Sequence, residues 1–204
     1  MTSWRRIGLL YAAGLLAAFQ YAKVPAMLQG LVAVYPMGPL QQAAFLSVIG
    51  IVGAVAGTFS GALCQAIGLR RTLLGGLALA VPGTLLPLVA GGYPGLLAAR
   101  VVEGMAHMAI VVSVPTLMLA VSSGPGRPRA MALWSSYFTV TFIVSALVLP
   151  PLLGVAGWRA VPVVHAVLLG VVGLVCLRGL PADGAAPPAA ASAPRLSLGR
   201  VWHA

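Results

Sequence analysis

Long apolar runs alternate with short polar or turn-forming segments along almost the whole chain. Six of the runs are close to, or longer than, the roughly 20 apolar residues that a helix needs to span a bilayer. The runs are residues 7–29, 41–63, 73–90, 95–119, 131–153 and 160–178. Apolar residues cover all sides of each run rather than one stripe, which is typical of helices in lipid or in a bundle interior. The pattern therefore predicts an all-α polytopic membrane protein built as a six-transmembrane-helix bundle.

The segments between the runs are rich in glycine and proline, which end helices and form turns. These connections are residues 36–39, 64–72, 91–94, 122–129 and 154–159. We therefore predict one six-helix transmembrane domain over residues 1–180. Residues 181–204 are rich in proline and alanine, a composition that is poor at forming a packed core. We expect them to be a disordered cytoplasmic tail that resembles a loop between two halves of a larger protein.

Basic residues are distributed unequally between the two predicted sides. If the N-terminus is inside, the inner segments contain Arg5, Arg6, Arg70, Arg71, Arg127, Arg129, Arg178, Arg195 and Arg200. The outer segments contain only Arg159, while Lys23 and Arg100 fall within helices. Because positively charged loops stay in the cytoplasm, we expect a multi-pass cell-membrane protein with both termini cytoplasmic. The excess of arginine over lysine, together with much alanine and glycine, indicates a GC-rich bacterial genome and hence a cell inner membrane.

The composition excludes several classes of protein. Charged residues make up 7% of the chain and hydrophobic residues 60%, whereas a soluble domain contains about 25% charged residues. The net charge of +10 does not indicate nucleic-acid binding, because the arginines are scattered between apolar runs. Cys64 and Cys176 do not have a metal-binding spacing. Since the sequence also contains no phosphate-binding loop, we expect no enzyme activity, no cofactor and no metal.

Lys23 lies deep in the first run, with Gln20 one helical turn before it. A charged residue at the centre of a bilayer costs about 2.5–3.5 kcal/mol on insertion scales, so another interaction must offset that cost. Either the side chain extends to the outer interface, or it faces a polar cavity. The second alternative makes Gln20 and Lys23 candidate residues of a substrate or proton path.

Arg100, Glu103 and His107 follow one another at i, i+3 and i+7 in the fourth run, on one face of the predicted helix. One interpretation is a structural ion pair between Arg100 and Glu103. The other is that this face belongs to the substrate or proton path. Glu103, the only acidic residue in the six runs, is then the carboxylate candidate for proton coupling. His107 is either a proton relay or a hydrogen-bonded packing residue.

The segment between the second and third runs resembles a signature of the major facilitator superfamily. That signature is Gly, three residues, Asp, a basic residue, any residue, Gly, any residue and two basic residues. Gly61, Gly68, Arg70 and Arg71 match it, and Gln65 stands where the family has Asp. The resemblance implies that these five residues form a conformational gate. Because an amide provides no charge attraction, we expect this gate to be weaker than in the family.

Two further segments extend the resemblance to about residues 5–180. The stretch RVVEGMAHMA, which begins at Arg100, resembles the second signature of the family. The stretch GWRAVP at 157–162 resembles the connection between its fifth and sixth helices. In the first run, AKVPAMLQGL is similar to a segment of the cyanate and nitroimidazole transporter branch.

The resemblance implies a secondary active transporter that works by alternating access, with helices one and four lining the solute cavity. Two cations, Lys23 and Arg100, against the carboxylate of Glu103 favour a small polar or anionic solute. A drug or metabolite efflux transporter is an alternative, and a six-helix membrane scaffold or accessory subunit without transport of its own is an alternative of another class. Family members have two six-helix halves, so the expected partners are the lipid bilayer, a small-molecule solute, and a missing C-terminal half or a second copy.

Small residues recur every four positions in the second run, at Gly53, Gly57 and Gly61. This spacing lets helices approach closely in lipid, so we expect a helix-packing face. The alternative is a surface that slides during alternating access. His165 lies in the sixth helix, which faces lipid in the family, and we expect it to be a packing residue.

Overall fold

A computed structural model describes residues 1–183, apart from the side chains of Thr58 and Leu63. Within these residues the α-helices are α1 Trp4–Val34, α2 Pro39–Ile67, α3 Leu69–Leu85, α4 Tyr93–Ala120, α5 Gly126–Ser135, α6 Tyr137–Ala156 and α7 Ala160–Gly179. A 3-10 turn, Leu86–Leu88, follows α3. Six helices, all but α5, are long and apolar enough to cross a membrane. The prediction of an all-α, six-span bundle is confirmed.

The predicted turn at residues 64–72 is wrong in its extent. Helix α2 continues to Ile67 and α3 begins at Leu69, so the connection is the single residue Gly68. Gly68 has a φ of +99°, a conformation that glycine adopts at little steric cost and other residues rarely adopt. One glycine is therefore sufficient to end one span and begin the next.

The fifth span also begins later than predicted, at Tyr137 rather than at residue 131. Residues 126–135 form the separate helix α5, whose sequence is GRPRAMALWS. Its two arginines and two prolines or glycines make it too polar to continue the span into lipid. The chain therefore uses α5 as a short connecting helix before α6 enters the bundle.

Hydrogen bonds join the ends of helices that lie on the same side of the bundle. The backbone N–H of Ser3 donates to the carbonyl of Val121 at 3.0 Å, which joins the start of α1 to the end of α4. Arg6 Nε donates to the carbonyl of Gly179 at 3.3 Å, which joins the same end of α1 to the end of α7. Among the described residues, the arginine-rich segments therefore share one end of the bundle.

Helix α4 is the centre of the bundle and packs against α1, α2, α3 and α5. Its closest approach to α3 depends on glycine. A Cβ atom on Gly76 would lie 2.9 Å from the Cβ of Ala109 and 3.1 Å from the carbonyl oxygen of Ala106. A Cβ on Gly83 would lie 3.0 Å from Val102 Cγ1. Any larger residue at these positions would therefore force the two helices apart.

Two apolar clusters fill the core at different levels. The cluster towards the arginine-rich end includes Ile7, Ala13, Leu73, Leu77, Ile110, Met118 and Leu169. The cluster towards the other end includes Met27, Leu31, Phe45, Leu96, Leu149 and Val161. Between these two sets lie the buried polar or charged residues Gln20 and Lys23 of α1, Arg100 and Glu103 of α4, and His165 of α7. The bundle therefore contains a polar layer between two apolar ones.

Apolar side chains also cover the outside of the bundle, as a membrane protein requires. Leu147 of α6 is 72% exposed and Phe59 of α2 is 71% exposed. These faces suit lipid or another helical unit. The predicted disordered tail begins at residue 181, and its part from 184 to 204 lies outside the described residues.

Candidate functional site

A buried polar cluster joins four helices at the level between the two apolar clusters. Its members, each at most 2% exposed, are Gln20 and Lys23 of α1, Thr84 of α3, Arg100 and Glu103 of α4, and His165 of α7. The i, i+3 spacing of the pairs on α1 and on α4 places both members of each pair on one helix face. We refer to these six residues as the polar cluster.

The ammonium group of Lys23 lies at the centre of the polar cluster. It donates hydrogen bonds to Thr84 Oγ1 and Glu103 Oε1, and it lies 3.1 Å from His165 Nδ1. An ammonium group has three N–H donors, so each donor has a partner. Of the two sequence alternatives, extension to the outer interface is wrong, because the side chain is 2% exposed and its head group is bound inside the bundle.

The carboxylate of Glu103 binds both cations. Its Oε1 accepts hydrogen bonds from Lys23 and from Thr84 Oγ1, the latter at 2.7 Å. Its Oε2 accepts from Arg100 Nη1 at 2.5 Å. The i, i+3 ion pair expected from the sequence is therefore present, and Lys23 extends it into a network of three charges.

Arg100 connects this network to α1 and α2. Its Nη1 also donates to the backbone carbonyl of Gln20 at 2.9 Å, and its guanidinium carbon lies 5.7 Å from the ring centre of Phe45. Arg100 Nε and both polar atoms of the Gln20 side chain have no hydrogen-bond partner among the described residues. Two donors and one acceptor therefore remain available on two adjoining residues.

The orientation of His165 follows from its two ring nitrogens. Nε2 lies 3.0 Å from the carbonyl oxygen of Leu16. Since a carbonyl can only accept, Nε2 carries the hydrogen. The neutral ring then presents the lone pair of Nδ1 to Lys23 and to Thr84, each at 3.1 Å.

The formal charges of the ionised groups in the polar cluster do not sum to zero. Lys23 and Arg100 are paired with the single carboxylate of Glu103, so the formal net charge is +1 with the imidazoles neutral. Taking charge out of water is costly unless each ion is paired and hydrogen-bonded. An arrangement with one uncompensated positive charge can bind an anion, or it can release a proton.

The structure brings four of the predicted path residues, Gln20, Lys23, Arg100 and Glu103, into one network. The fifth, His107, is on the same side of α4 but is bound elsewhere. Its Nδ1 donates to the carbonyl of Ala17 at 3.0 Å, and its ring packs edge-on against Tyr21.

Sequence reasoning missed Thr84 and His165. His165 is fully buried and lies edge-on to Phe19 with ring centres 4.8 Å apart, so it packs as expected, but it also contacts Lys23, which was not expected. An ionisable residue inside a span is by default a candidate functional residue, and that rule could have identified it. Thr84 gave no signal, since an intramembrane threonine often bonds only its own helix.

The residues of the predicted gate lie at the arginine-rich end, away from the polar cluster. Gly61 and Gln65 are exposed on α2, and Gly68 forms the break between α2 and α3. Arg70 Nη2 donates to the carbonyl of Leu177 at 2.6 Å, which ties the start of α3 to the end of α7. That these residues act as a gate stays a prediction.

A carboxylate is present at this turn, but it comes from Asp183 rather than from position 65. The backbone N–H groups of Arg70 and Arg71 donate to its two oxygens at 2.8 and 3.1 Å. The first residue before α3 is Gly68, which has no side chain to cap the helix. The side chain of Asp183 therefore caps the N-terminus of α3. Its negative charge also interacts favourably with the positive end of the helix dipole.

The three glycines of the predicted packing face differ in their surroundings. A Cβ on Gly53 or Gly57 would lie 3.4 or 3.5 Å from the side chain of Met108 on α4, and a Cβ on Gly61 would have no atom within 4 Å. The first two glycines therefore face α4 across an ordinary packing contact. Among the described residues, no group of three His, Cys, Asp or Glu side chains could hold a metal ion.

Six apolar spans around a buried charged network define a polytopic membrane transport protein. The chain belongs to the major facilitator superfamily, whose sequence profile matches residues 9–203. This is a family of membrane transporters and not of enzymes. The match does not confirm the similarity to the cyanate and nitroimidazole branch. Comparison with curated proteins finds no match.

Proposed function

We propose that the chain forms part of a secondary active transporter that moves a small polar or anionic solute by alternating access. The observation that carries this proposal is the pair of unpartnered donors, Arg100 Nε and Gln20 Nε2, in a cluster of net positive charge. A buried donor without a partner costs about 1–3 kcal/mol. A solute rich in acceptors or carrying a negative charge would remove that cost.

Access to these donors requires a change of conformation. Gln20 and Arg100 are at most 1% exposed, so a solute reaches them only when α1 and α4 move relative to their neighbours. Secondary transporters open a site near the middle of the bilayer alternately to each side by moving one helical unit against another. The position of the polar cluster between two apolar layers supports such a site. We propose that the second unit is the remainder of a longer chain or a second copy of this one.

The test of this proposal is solute uptake by proteoliposomes that contain the chain expressed from its complete gene. Radiolabelled lactate, succinate and phosphate serve as anionic probes, and ethidium serves as a cationic, drug-like probe. We expect uptake of at least one anion. Arg100→Gln should lower that uptake at least tenfold, because a hydrogen bond to a charged group contributes about 1.5–3 kcal/mol. Gln20→Ala, which removes a neutral donor, should have a smaller effect.

The chain offers matched controls for both substitutions. Gln29 and Arg159 are exposed residues of the same types, so Gln29→Ala and Arg159→Gln should leave anion uptake unchanged. Movement of ethidium without anion uptake would contradict the proposal and favour the efflux alternative. Absence of any transport would favour the scaffold alternative. A single six-helix unit in native mass spectrometry of a transporting sample would rule out the second unit.

We also propose a bacterial inner-membrane location with both termini in the cytoplasm. The arginine-rich segments of the described residues lie together at one end of the bundle, which supports this orientation. Reporter fusions at Arg70 and Arg127 should therefore be active on the cytoplasmic side, and fusions at Gly92 and Gly157 on the external side. A cytoplasmic signal at Gly92 would overturn the proposed orientation.

A further inference from the structure

We propose that Lys23, with Thr84 and His165 as its hydrogen-bond partners, is a proton-binding site that holds one exchangeable proton in the middle of the bundle. In the transporter proposed above, this proton would be the one whose movement drives transport. Only that second statement rests on the proposed function, because the site itself follows from the charges and hydrogen bonds of the polar cluster.

The charge of the polar cluster identifies the group that releases the proton. Arg100 keeps its proton in proteins. Glu103 already accepts from Lys23, Thr84 and Arg100, and protonating it would raise the net charge of the buried cluster from +1 to +2. Loss of a proton from Lys23 instead brings the net charge to zero. Because uncompensated buried charge is costly, Lys23 is the group that changes its protonation state.

The hydrogen bonds among Lys23, Thr84, Glu103 and His165 can be kept in both protonation states of Lys23. With Lys23 protonated, its third N–H points at His165 Nδ1, and Thr84 donates to Glu103 Oε1 at 2.7 Å. On release, that N–H bond breaks, the electron pair stays on Nζ, and the proton leaves to water when the site opens. The hydroxyl of Thr84, which is 3.1 Å from His165 Nδ1, can then donate to that nitrogen instead. Among these four residues, release leaves only the amine lone pair of Lys23 without a partner.

The other helices do not supply a competing group. The groups that face Lys23 are Glu103 and Arg100 from α4, Thr84 from α3 and His165 from α7. Helices α2, α5 and α6 contain no acidic, lysine or histidine residue. His107 is bound to the backbone of α1. Within the described residues, proton exchange at this level is therefore confined to the polar cluster.

The sequence makes a direct test possible, because Lys23 is the only lysine in the chain. The full chain labelled with 15N at the lysine side chain gives one lysine signal in solid-state NMR of lipid bilayers. We expect this signal to change reversibly from ammonium to amine within the pH range in which lysine in water remains ammonium. A signal that stays ammonium throughout this range would overturn the proposal.

A pair of arginine variants separates this site from a merely buried lysine. In Arg100→Gln the net charge of the polar cluster is zero while Lys23 is an ammonium. Lys23 should therefore keep its proton down to a proton concentration at least about tenfold lower than in the wild type. Arg159→Gln, at an exposed position, should leave the midpoint unchanged. Equal midpoints in both variants would overturn the charge argument. Should Arg100→Gln fail to fold, the wild-type signal alone decides the proposal.

The NMR experiment needs no solute, so its outcome is independent of the transport assay. If Lys23 changes protonation but no probe is transported, the proposed function fails and the proton site remains. If an anion is transported but Lys23 stays ammonium, the proton site fails and the proposed function remains.

Discussion

Glu103→Gln is expected to destabilise the bundle more than any other single substitution in the polar cluster. While Lys23 keeps its proton, the variant leaves Lys23 and Arg100 as two buried cations without a carboxylate, so the net charge rises to +2. Removing one partner of a buried ion pair costs about 3–5 kcal/mol. We therefore expect a large fall in the apparent melting temperature of the chain in mild detergent, measured as loss of the folded peak in size-exclusion chromatography after heating.

Adding a second substitution tests whether charge is the cause. Lys23→Met in the Glu103→Gln background returns the net charge to +1 and should recover part of the lost stability. Asp183→Asn makes the same chemical change at the only other acidic residue of the chain, and at this exposed end of the bundle it should cost much less. A double variant that is less stable than Glu103→Gln alone would contradict the charge explanation.

Gly76→Val is expected to produce the second large effect, through packing rather than charge. The new side chain would meet Ala109, Ile110 and the carbonyl of Ala106, with the first Cβ already within 3.1 Å of each. The backbone carbonyl cannot move aside without disturbing α4, so α3 and α4 must separate. Overpacking of this kind typically costs about 1–3 kcal/mol. The same chromatographic assay measures the loss.

Gly75→Val is the matched control, because it is the same substitution at the preceding residue of the same helix. Gly75 is exposed, and a Cβ there would have no atom within 4 Å. Its replacement should be neutral or slightly stabilising, since glycine is a poor helix former. Equal losses in the two variants would show that loss of glycine itself, rather than the contact with α4, is responsible.

The six spans could be predicted from the sequence because a membrane helix is determined locally. Its backbone groups must bond within the segment, and its length is set by the bilayer. The pair formed by Arg100 and Glu103 could be predicted for a similar reason, since both residues belong to one helix. A connection within residues 64–72 could also be predicted, but its restriction to the single residue Gly68 could not, because the sequence does not show how far α2 and α3 extend into this segment.

The partners of Lys23 could not be predicted, because they lie 61, 80 and 142 residues away in the sequence. Their meeting depends on how each helix is rotated about its axis. Apolar residues surround these helices on all sides, so the sequence does not indicate which face points inward. The same uncertainty applies to the adjacent pair Gly75 and Gly76, of which only the second is buried.

The cap that Asp183 provides for α3 has a consequence for the biogenesis of the protein. The carboxylate is made 113 residues after the N–H group of Arg70 that it binds. At roughly 5–20 residues per second, a ribosome needs about 6–23 seconds to cover that distance. During this interval the backbone N–H groups of Arg70 and Arg71, which Asp183 later accepts from, donate to water instead. The arginine-rich end of this bundle can therefore be completed only after α7 has left the ribosome.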